Sequence, residues 1–310
     1  MCNISSKTQK GNLISCKFPD VPFLVANLIL QKLEPIDLLT VRKVCRSLRA
    51  CVDKLKSHFD TILLDIRKDH IDLILDGNWI RYSAGYEESE NSCFSIPFWK
   101  ALCIDAGKRG STVTYKGHKK QIKGDNFMET AFKDLKTSLK HVSKLEIYYC
   151  IPNRYDVFAS FIDFLKSKKF IHSEMIVFHK FPFDDVISIL PYFDAQTLET
   201  IELCRFGSLD QFERIIYLDQ WRNAKTFKFE NSYFCSKLLV HLFHFQCFYI
   251  NEMLDFTTQV AVKIRDDLMR RSTFQCCQIY FEKSDSMELA KVFKPDYTGG
   301  IEFNIEFSDD

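Results

Sequence analysis

The sequence predicts an α/β protein in which three short N-terminal helices precede an irregular solenoid of short parallel strands and outer helices. Apolar residues recur at spacings of three and four between Val21 and Leu55, as on the faces of helices. From Ile62 to Ser83 apolar and polar residues alternate, as in strands, and Asp76-Gly77 predicts a hairpin turn within this stretch. Beyond Gly124 a short strand with an inward apolar pair recurs, and helical stripes separate these strands.

The first predicted helix begins after Asp20, which can cap it, and runs to about Lys32. Pro22 is tolerated in its first turn, because the first amide groups of a helix have no partner within the helix. One apolar stripe contains Val21, Val25, Leu28, Ile29 and Leu33. Phe23, Leu24 and Leu30 fall off this stripe, so one small core cannot cover all of these side chains. We therefore expect another surface to cover the remainder.

Two further predicted helices complete this segment. Pro35 opens the second, Ile36 to Cys45, and the third runs from Ser47 to Lys56. The second helix is again apolar on more than one side. The three helices together have the character of a docking module, and the alternative is a helical cap on a larger domain.

This segment resembles the F-box, whose pattern has a Leu-Pro start, a Pro-x-x-Leu-Leu stretch and a Val-Cys-Arg end. Here Val21-Pro22 stand at the start, with Val where Leu is usual, and Val44-Cys45-Arg46 stand at the end. The resemblance covers about 40 residues and implies that the segment binds a Skp-type adaptor. The residues it assigns to that contact are Val21, Pro22, Val25, Ile29, Leu33, Pro35, Leu38 and Leu39.

Length and composition limit the function classes. A chain of 310 residues predicts two domains or one extended repeat array. The formal charge of +1 is too small to attract the whole protein to nucleic acid or to an acidic membrane over a long range. The 12 cysteines include no Cys-x-x-Cys pair, and the N-terminal dodecapeptide has no apolar core that would make it a secretory signal. We therefore expect a protein of the cytoplasm or nucleus whose cysteines are free thiols, with no bound metal or cofactor and no membrane partner.

The recurring strands define the second half. Their inward pairs begin at Leu145, Ile176, Ile201, Phe227, Phe248, Ile279 and Phe303. Successive pairs lie 21 to 31 residues apart, which overlaps the leucine-rich-repeat range but lacks that repeat's fixed asparagine. A strand followed by a helix at this interval predicts right-handed crossovers and parallel strands, and hence a leucine-rich-repeat-like solenoid.

Alternation along each strand also predicts which side chains leave the core and line the open face of the sheet. Tyrosine and charged residues on a rigid surface suit protein recognition, because tyrosine offers a large contact area with few rotors. The alternative is an ordinary solvated sheet face. The predicted substrate-binding residues are Glu146, Tyr148, His179, Glu202, Lys228, Glu230, Tyr249, Tyr280 and Glu282.

The C-terminal half resembles the FTH domain, found after an F-box in a large nematode family of F-box proteins. The phrases that carry the resemblance include LKHVSKLEIYYC, SILPYFDAQTLETIEL and LDQWRNAKTFKFEN. It implies a substrate-recognition region in a cullin-based ubiquitin ligase. The predicted organisation is a disordered tail over 1–17, the F-box over 18–56, a strand-rich connection over 57–124 and an FTH-like α/β repeat domain over 125–310.

Catalytic and metal-binding patterns are weak. The sequence has no G-x-S-x-G, phosphate-loop or H-E-x-x-H motif. His241 and His244 lie in the predicted helical stripe from Leu238 to Phe245, on one helix face without a nearby carboxylate, which favours a packed amphipathic helix. A second hairpin is predicted from the strands 111–115 and 121–123. Its lysines between Lys116 and Lys123, in a neutral protein, indicate a solvated loop more than an RNA site. We therefore predict a non-enzymatic adaptor, and the alternative is an interaction scaffold or host-defence binding protein outside any ligase.

Overall fold

The fold is known from a computed structural model. The described residues are 23–54, 59–84, 110–124, 126–139, 142–149, 155–167, 170–205, 209, 212–230, 233–268, 270–281 and 286–298. The chain divides into two compact units, Met1–Ser57 and His58–Asp310. We call them the helical unit and the sheet unit.

The helical unit contains α1 (Phe23–Leu30), α2 (Pro35–Val41) and α3 (Arg46–Lys54). Pro35 occupies the first turn of α2, where its missing N–H costs no hydrogen bond. Each helix gives one residue to a small core, namely Leu30, Leu38 and Val52, and the partly buried Leu33, Val41 and Cys51 pack against it. Arg42, at the end of α2, pairs with Asp53 of α3, with 2.7 Å between Nε and Oδ1.

Twelve strands of the described residues form one mixed sheet in the sheet unit. Its antiparallel part is β1 (Phe59–Ile66), β2 (His70–Leu75), β3 (Asn78–Ala84), β4 (Ser111–Tyr115) and β5 (His118–Ile122). The hairpin predicted at Asp76-Gly77 is confirmed: both residues have positive φ, and Leu75 pairs with Asn78. The second predicted hairpin turns at Lys116-Gly117, so β5 begins at His118, three residues earlier than the sequence suggested.

The parallel part comprises β6 (Val142–Tyr149), β7 (Ser173–His179), β8 (Thr200–Cys204), β9 (Thr226–Glu230), β11 (Cys247–Leu254) and β12 (Cys276–Phe281). The two-residue strand β10 (Phe234–Cys235) also pairs with β11. β6 lies parallel to β1, with Ile62 opposite Leu145. This pairing joins the hairpins and the parallel strands into one sheet.

Helical segments connect these strands. The α-helices are α4 (Phe127–Ser138), α5 (Tyr155–Lys166), α6 (Phe183–Ile189), α7 (Asp219–Asn223), α8 (Thr258–Leu268) and α9 (Ser286–Phe293). Leu190–Tyr192, Phe212–Tyr217 and Ser236–His241 are 3₁₀ helices instead. The predicted α-helical stripe from Leu238 to Phe245 is therefore wrong in type, because the chain there forms a 3₁₀ helix followed by turns. The connections differ from one strand to the next, and the leucine-rich-repeat-like solenoid stays a prediction.

One face of the parallel strands is fully covered from β6 to β11. The predicted inward pairs at 145/147, 176/178, 201/203, 227/229 and 248/250 are at most 2% exposed, whereas Ile279 and Phe281 of β12 are only half-buried. Trp221 from α7 packs on this face against Phe227 and Phe245, with ring centroids 5.0 and 4.9 Å away. The pair at 303/305 lies outside the described residues. The opposite face of the sheet is therefore the one left to polar side chains.

Candidate functional site

Among the described residues of the helical unit, four large apolar side chains are exposed. Val25, Leu28 and Ile29 of α1 are 43, 62 and 57% exposed, and Val44, between α2 and α3, is 69% exposed. We call these four residues the helical apolar set. Fully burying such a side chain contributes about 1.5–3 kcal/mol, so the set favours contact with another molecule.

The other residues predicted to bind an adaptor have different surroundings. Leu38 and Leu39 are buried, Leu33 packs against the small core, and Pro35 is half-buried at the first turn of α2. Val21 and Pro22 lie outside the described residues. Leu28 and Val44 were not among the predicted contacts, although the stripe spacing already placed Leu28 beside Val25 and Ile29. Leu30 was expected off the stripe and instead belongs to the core.

Two rows of side chains cross the open face of the sheet, because the parallel strands pair in register. Across β6, β7, β8, β9 and β11, the first row runs Glu146, Val177, Glu202, Lys228 and Tyr249. The second row runs Tyr148, His179, Cys204 and Glu230. We call these rows the open face. Val177, Glu202 and Cys204 are buried, and the other members of the two rows are half-buried. Tyr280 of β12, also predicted on this face, is exposed. Glu282 lies outside the described residues.

Glu146 is the centre of one polar cluster. Its Oε1 lies 2.7 Å from Nζ of Lys144, and its Oε2 lies 3.4 Å from Nε2 of His179. The His179 ring stacks on Tyr148, with centroids 3.8 Å apart and planes 7° apart. His179 first, and then Lys144, lower the pKa of Glu146 to about 2 against the opposing effect of burial. Glu146 is therefore a fixed carboxylate at neutral pH, and Lys144 is a member of the face that the sequence analysis missed.

Glu202, Cys204 and Glu230 form a second cluster. Their ligand atoms all lie within 4.8 Å of one another, the kind of set that could hold a metal ion. The Cys204 thiol donates a hydrogen bond to Oε1 of Glu202 over 3.2 Å. Burial, followed by Glu202, raises the pKa of this thiol, so it is protonated at neutral pH. The donor atoms suit a thiophilic cation, yet a protonated thiol would have to lose its proton first.

A cavity of about 260 Å³ opens at the β9, β11 and β12 end of the face. The predicted residues Lys228, Glu230, Tyr249 and Tyr280 line it. Nζ of Lys228 lies 5.5 Å from the centroid of the Tyr249 ring, and the Tyr249 hydroxyl lies 3.1 Å from Sγ of Cys276. That contact, together with burial, raises the pKa of Tyr249 to about 12.

Asn251 and Gln278 also line this cavity, and neither was predicted. Gln278 stands opposite Tyr249 in the strand register, so only the pairing of β11 with β12 brings it to the site. With amide, phenol, ammonium and carboxylate groups side by side, the cavity can both donate and accept hydrogen bonds.

Neither the Cys204 thiol nor the Glu146 carboxylate of the open face is activated for catalysis. A cysteine nucleophile requires a lowered thiol pKa, whereas burial and Glu202 raise that of Cys204. Lys144 and His179 hold Glu146 and lower its pKa, which makes it a poor base.

The remaining sequence candidates stay structural. His244 donates from Nε2 to the carbonyl of Trp221 over 2.9 Å, which occupies one nitrogen that a metal would need.

Lys119 and Lys120 are exposed on β5, the terminal strand of the antiparallel part. Lysines there suit an edge strand, because their charge opposes pairing with a second chain. Among the described residues, every helix falls short of the length and apolar character that crossing a bilayer requires.

Comparison with known proteins identifies two domains. A family model for the F-box domain matches residues 18–60, and one for the FTH domain matches residues 155–296. At the level of the family, an F-box implies a substrate adaptor of SCF-type ubiquitin ligases, and F-box and FTH proteins are adaptors rather than catalysts.

F-box A protein 224 of Caenorhabditis elegans is 25% identical over 290 residues, which cover 90% of this chain and 70% of that protein. No solved structure matches the chain. The chain carries an F-box domain followed by an FTH domain.

Proposed function

We propose that this protein is the substrate receptor of a cullin-based, SCF-type E3 ubiquitin ligase. In this proposal its F-box binds a Skp-type adaptor, and the sheet unit that contains the FTH domain binds a protein substrate. The observation that carries the proposal is the exposure of Val25, Leu28, Ile29 and Val44 within the F-box match. The runner-up is an interaction scaffold or host-defence binding protein that never meets a cullin.

The adaptor half of the proposal follows from how the three helices divide their apolar residues. Leu30, Leu38 and Val52 complete a core without the helical apolar set. A partner that covers Leu28 and Ile29 therefore gains hydrophobic free energy without disturbing that core. Leu38 and Leu39 were predicted as contacts, but they are buried and would act by holding α2 in place. Pro35 fixes the start of the same helix.

The substrate half rests on the open face. Strand pairing fixes the spacing of its side chains, so little conformational entropy is lost when a ligand binds. Tyrosines such as Tyr249 and Tyr280 offer contact area, while Lys228 and Glu230 select the charge of what binds beside them. Glu146, Tyr148, His179 and Glu202 would extend this contact toward β6.

The mechanism is tethering rather than chemistry. Once the receptor holds both the ligase and a substrate, lysines of the substrate stay at high effective concentration near the ubiquitin-conjugating enzyme. The receptor then needs rigid surfaces and no reactive group of its own, in agreement with the protonated Cys204 and the ion-paired Glu146.

Affinity purification of the tagged full-length chain from cells tests the adaptor half. We expect the wild type to recover a Skp-type adaptor and a cullin, and Ile29→Asp to lose both, because it places a charge in an apolar contact. Leu254→Asp is the matched control, since Leu254 is 48% exposed in the sheet unit. The double variant Pro35→Ala/Leu38→Ala should also lose the adaptor, through the support of α2. If no cullin is recovered with the wild type, the adaptor half is contradicted and the scaffold alternative is favoured.

Proximity labelling with and without proteasome inhibition tests the substrate half. We expect proteins that accumulate near the wild type under inhibition to disappear for Tyr249→Ala/Glu230→Lys. Phe170→Ala should leave them unchanged, because Phe170 is an exposed aromatic residue in the connection before β7. If Tyr249→Ala/Glu230→Lys and Phe170→Ala label the same set of proteins, substrate binding by the open face is refuted.

A further inference from the structure

A second cavity lies on the covered side of the sheet, away from the open face. It measures about 380 Å³, and its apolar wall consists of Ile216, Val240 and Phe243. Trp221, which also lines it, packs on the inward-facing Phe227 of β9. The cavity therefore belongs to the layer of connecting segments rather than to the sheet surface proposed to bind substrate.

Successive connections each bring a basic residue to this cavity. Arg222 lies at the end of α7 just before β9, His244 just before β11, and Arg271 shortly before β12. Because these strands are parallel neighbours, segments that precede them meet at the same edge of the sheet. His241, in the 3₁₀ helix before β11, is a further nitrogen-bearing member of the lining. The lining thus collects hydrogen-bond donors from separate parts of the chain.

The two guanidinium groups are placed by neutral neighbours. Nε of Arg222 donates to the carbonyl of Ile216 over 3.0 Å, and the guanidinium carbon of Arg271 lies 5.2 Å from the centroid of the Phe243 ring. Within the described part of the chain, neither arginine forms an ion pair with a carboxylate. Elsewhere in the same unit, Arg81 and Arg214 each pair with an aspartate. Two positive charges at the cavity are therefore left uncompensated by the residues described.

Trp221 contributes an aromatic surface to the cavity lining. Its side chain is 1% exposed, because it packs against Phe227 and Phe245 on the covered side of the sheet. Burial lowers the pKa of His244, so this ring is neutral at pH 7 and adds a hydrogen-bonding group without a charge.

We propose that this cavity, which we call the arginine cavity, binds a phosphate monoester carried on an apolar or aromatic body. Guanidinium forks match the oxygens of a phosphate, and two of them balance its two negative charges. Ile216, Val240 and Phe243 contact the apolar body. The described lining residues include no carboxylate that would repel the anion. The ester belongs either to a small molecule or to a phosphorylated side chain of a partner protein, and both present the same group.

Isothermal titration of the full-length protein with phenyl phosphate tests the proposal. We expect saturable binding, weakened at least tenfold in Arg222→Gln and in Arg271→Gln. Arg214→Gln is the matched control, because Arg214 is ion-paired with Asp184 and does not line the cavity. Arg271→Lys, which keeps the charge but not the fork, should bind with intermediate affinity. This conservative variant keeps the test valid if a glutamine variant fails to fold.

Inorganic phosphate and phenylacetate separate the contributions of charge and apolar body. We expect both to bind at least tenfold more weakly than phenyl phosphate, because the first lacks the ring and the second carries one charge. A peptide with phosphotyrosine that binds more tightly than phenyl phosphate identifies a protein as the source of the ester, and weaker binding identifies a small molecule. Absence of saturable binding, equal affinity for phenylacetate, or unchanged affinity in both glutamine variants would overturn the proposal. This test does not depend on the adaptor function, so either can fail alone.

Discussion

The Tyr148 ring lies face to face with the His179 imidazole, 3.8 Å between centroids, on neighbouring strands of the open face. The stack holds His179 with its Nε2 3.4 Å from Oε2 of Glu146. Because β6 and β7 fix all three backbones, this geometry does not depend on a ligand. The acidic end of the open face is therefore organised before anything binds there.

Acid stability should depend on Glu146. Folding lowers its pKa from an ordinary 4.5 to about 2, so the folded state favours the ionised carboxylate more than the unfolded state does. The resulting stability is present above pH 4.5 and is lost as the pH falls toward 2. We expect Glu146→Gln to lower the free energy of unfolding by about 1–2 kcal/mol at pH 7 and to have no effect near pH 2.

Urea unfolding of both proteins across this pH range measures the effect. Glu174→Gln is the control, because Glu174 is exposed on β7. A constant difference between wild type and Glu146→Gln at every pH would contradict the ion-pair explanation.

Truncation of a core residue of the helical unit should cost far more stability than truncation of a surface residue. Leu38 is 5% exposed in the small core, and Leu28 is 62% exposed. We expect Leu38→Ala to lower the stability of this unit by about 2–4 kcal/mol, and Leu28→Ala to change it by less than about 0.5 kcal/mol. Hydrogen exchange of the amides in α1 to α3 measures both values. Similar losses for the two variants would show that Leu28 is not a free surface residue.

Trp221 should be among the most stabilising side chains of the sheet unit. It contacts Phe212, Phe227 and Phe245, with centroids 4.9 to 5.4 Å away. We expect Trp221→Ala to cost about 3–5 kcal/mol in chemical denaturation, since it leaves a large cavity among these rings. Tyr217→Ala, at a residue 69% exposed in the preceding 3₁₀ helix, should cost less than about 0.5 kcal/mol. A mild effect of the tryptophan change would mean that the connecting layer is loosely packed.

Cys204 should be chemically inert in the folded protein. Only the thiolate reacts, and both burial and Glu202 raise the thiol pKa. In a timed alkylation followed by mass spectrometry, we expect Cys204 to be modified at least tenfold more slowly than the half-buried Cys45. Addition of denaturant should equalise the two rates. Equal rates in the native protein would indicate that the Glu202–Cys204–Glu230 cluster is open to solvent.

Local patterns in the sequence predict much of the sheet. Asp76-Gly77 specifies a two-residue turn because its conformation requires positive φ at both positions, and the alternation around it sets the pairing of β2 with β3. Inward apolar pairs such as Ile176 with Phe178 locate the parallel strands in the same way. These features depend on neighbours along the chain, which a single sequence contains.

Long-range pairing could not be predicted. Ile62 of β1 stands beside Leu145 of β6, and no local signal links residues so far apart. The polar clusters depend on that register. Alternation places Glu202 and Glu230 on the open face, but only the alignment of β8 with β9 brings Cys204 beside Glu230. The arginine cavity was missed for the same reason, because its cations come from different connections.

The central claim is that the helical apolar set is the contact surface for a Skp-type adaptor. A calorimetric titration of the purified full-length chain with purified adaptor tests it most directly. We predict saturable binding by the wild type and by Leu254→Asp, and at least hundredfold weaker binding by Leu28→Asp/Ile29→Asp. Equal affinity for all three proteins, with the double variant folded, would contradict the claim.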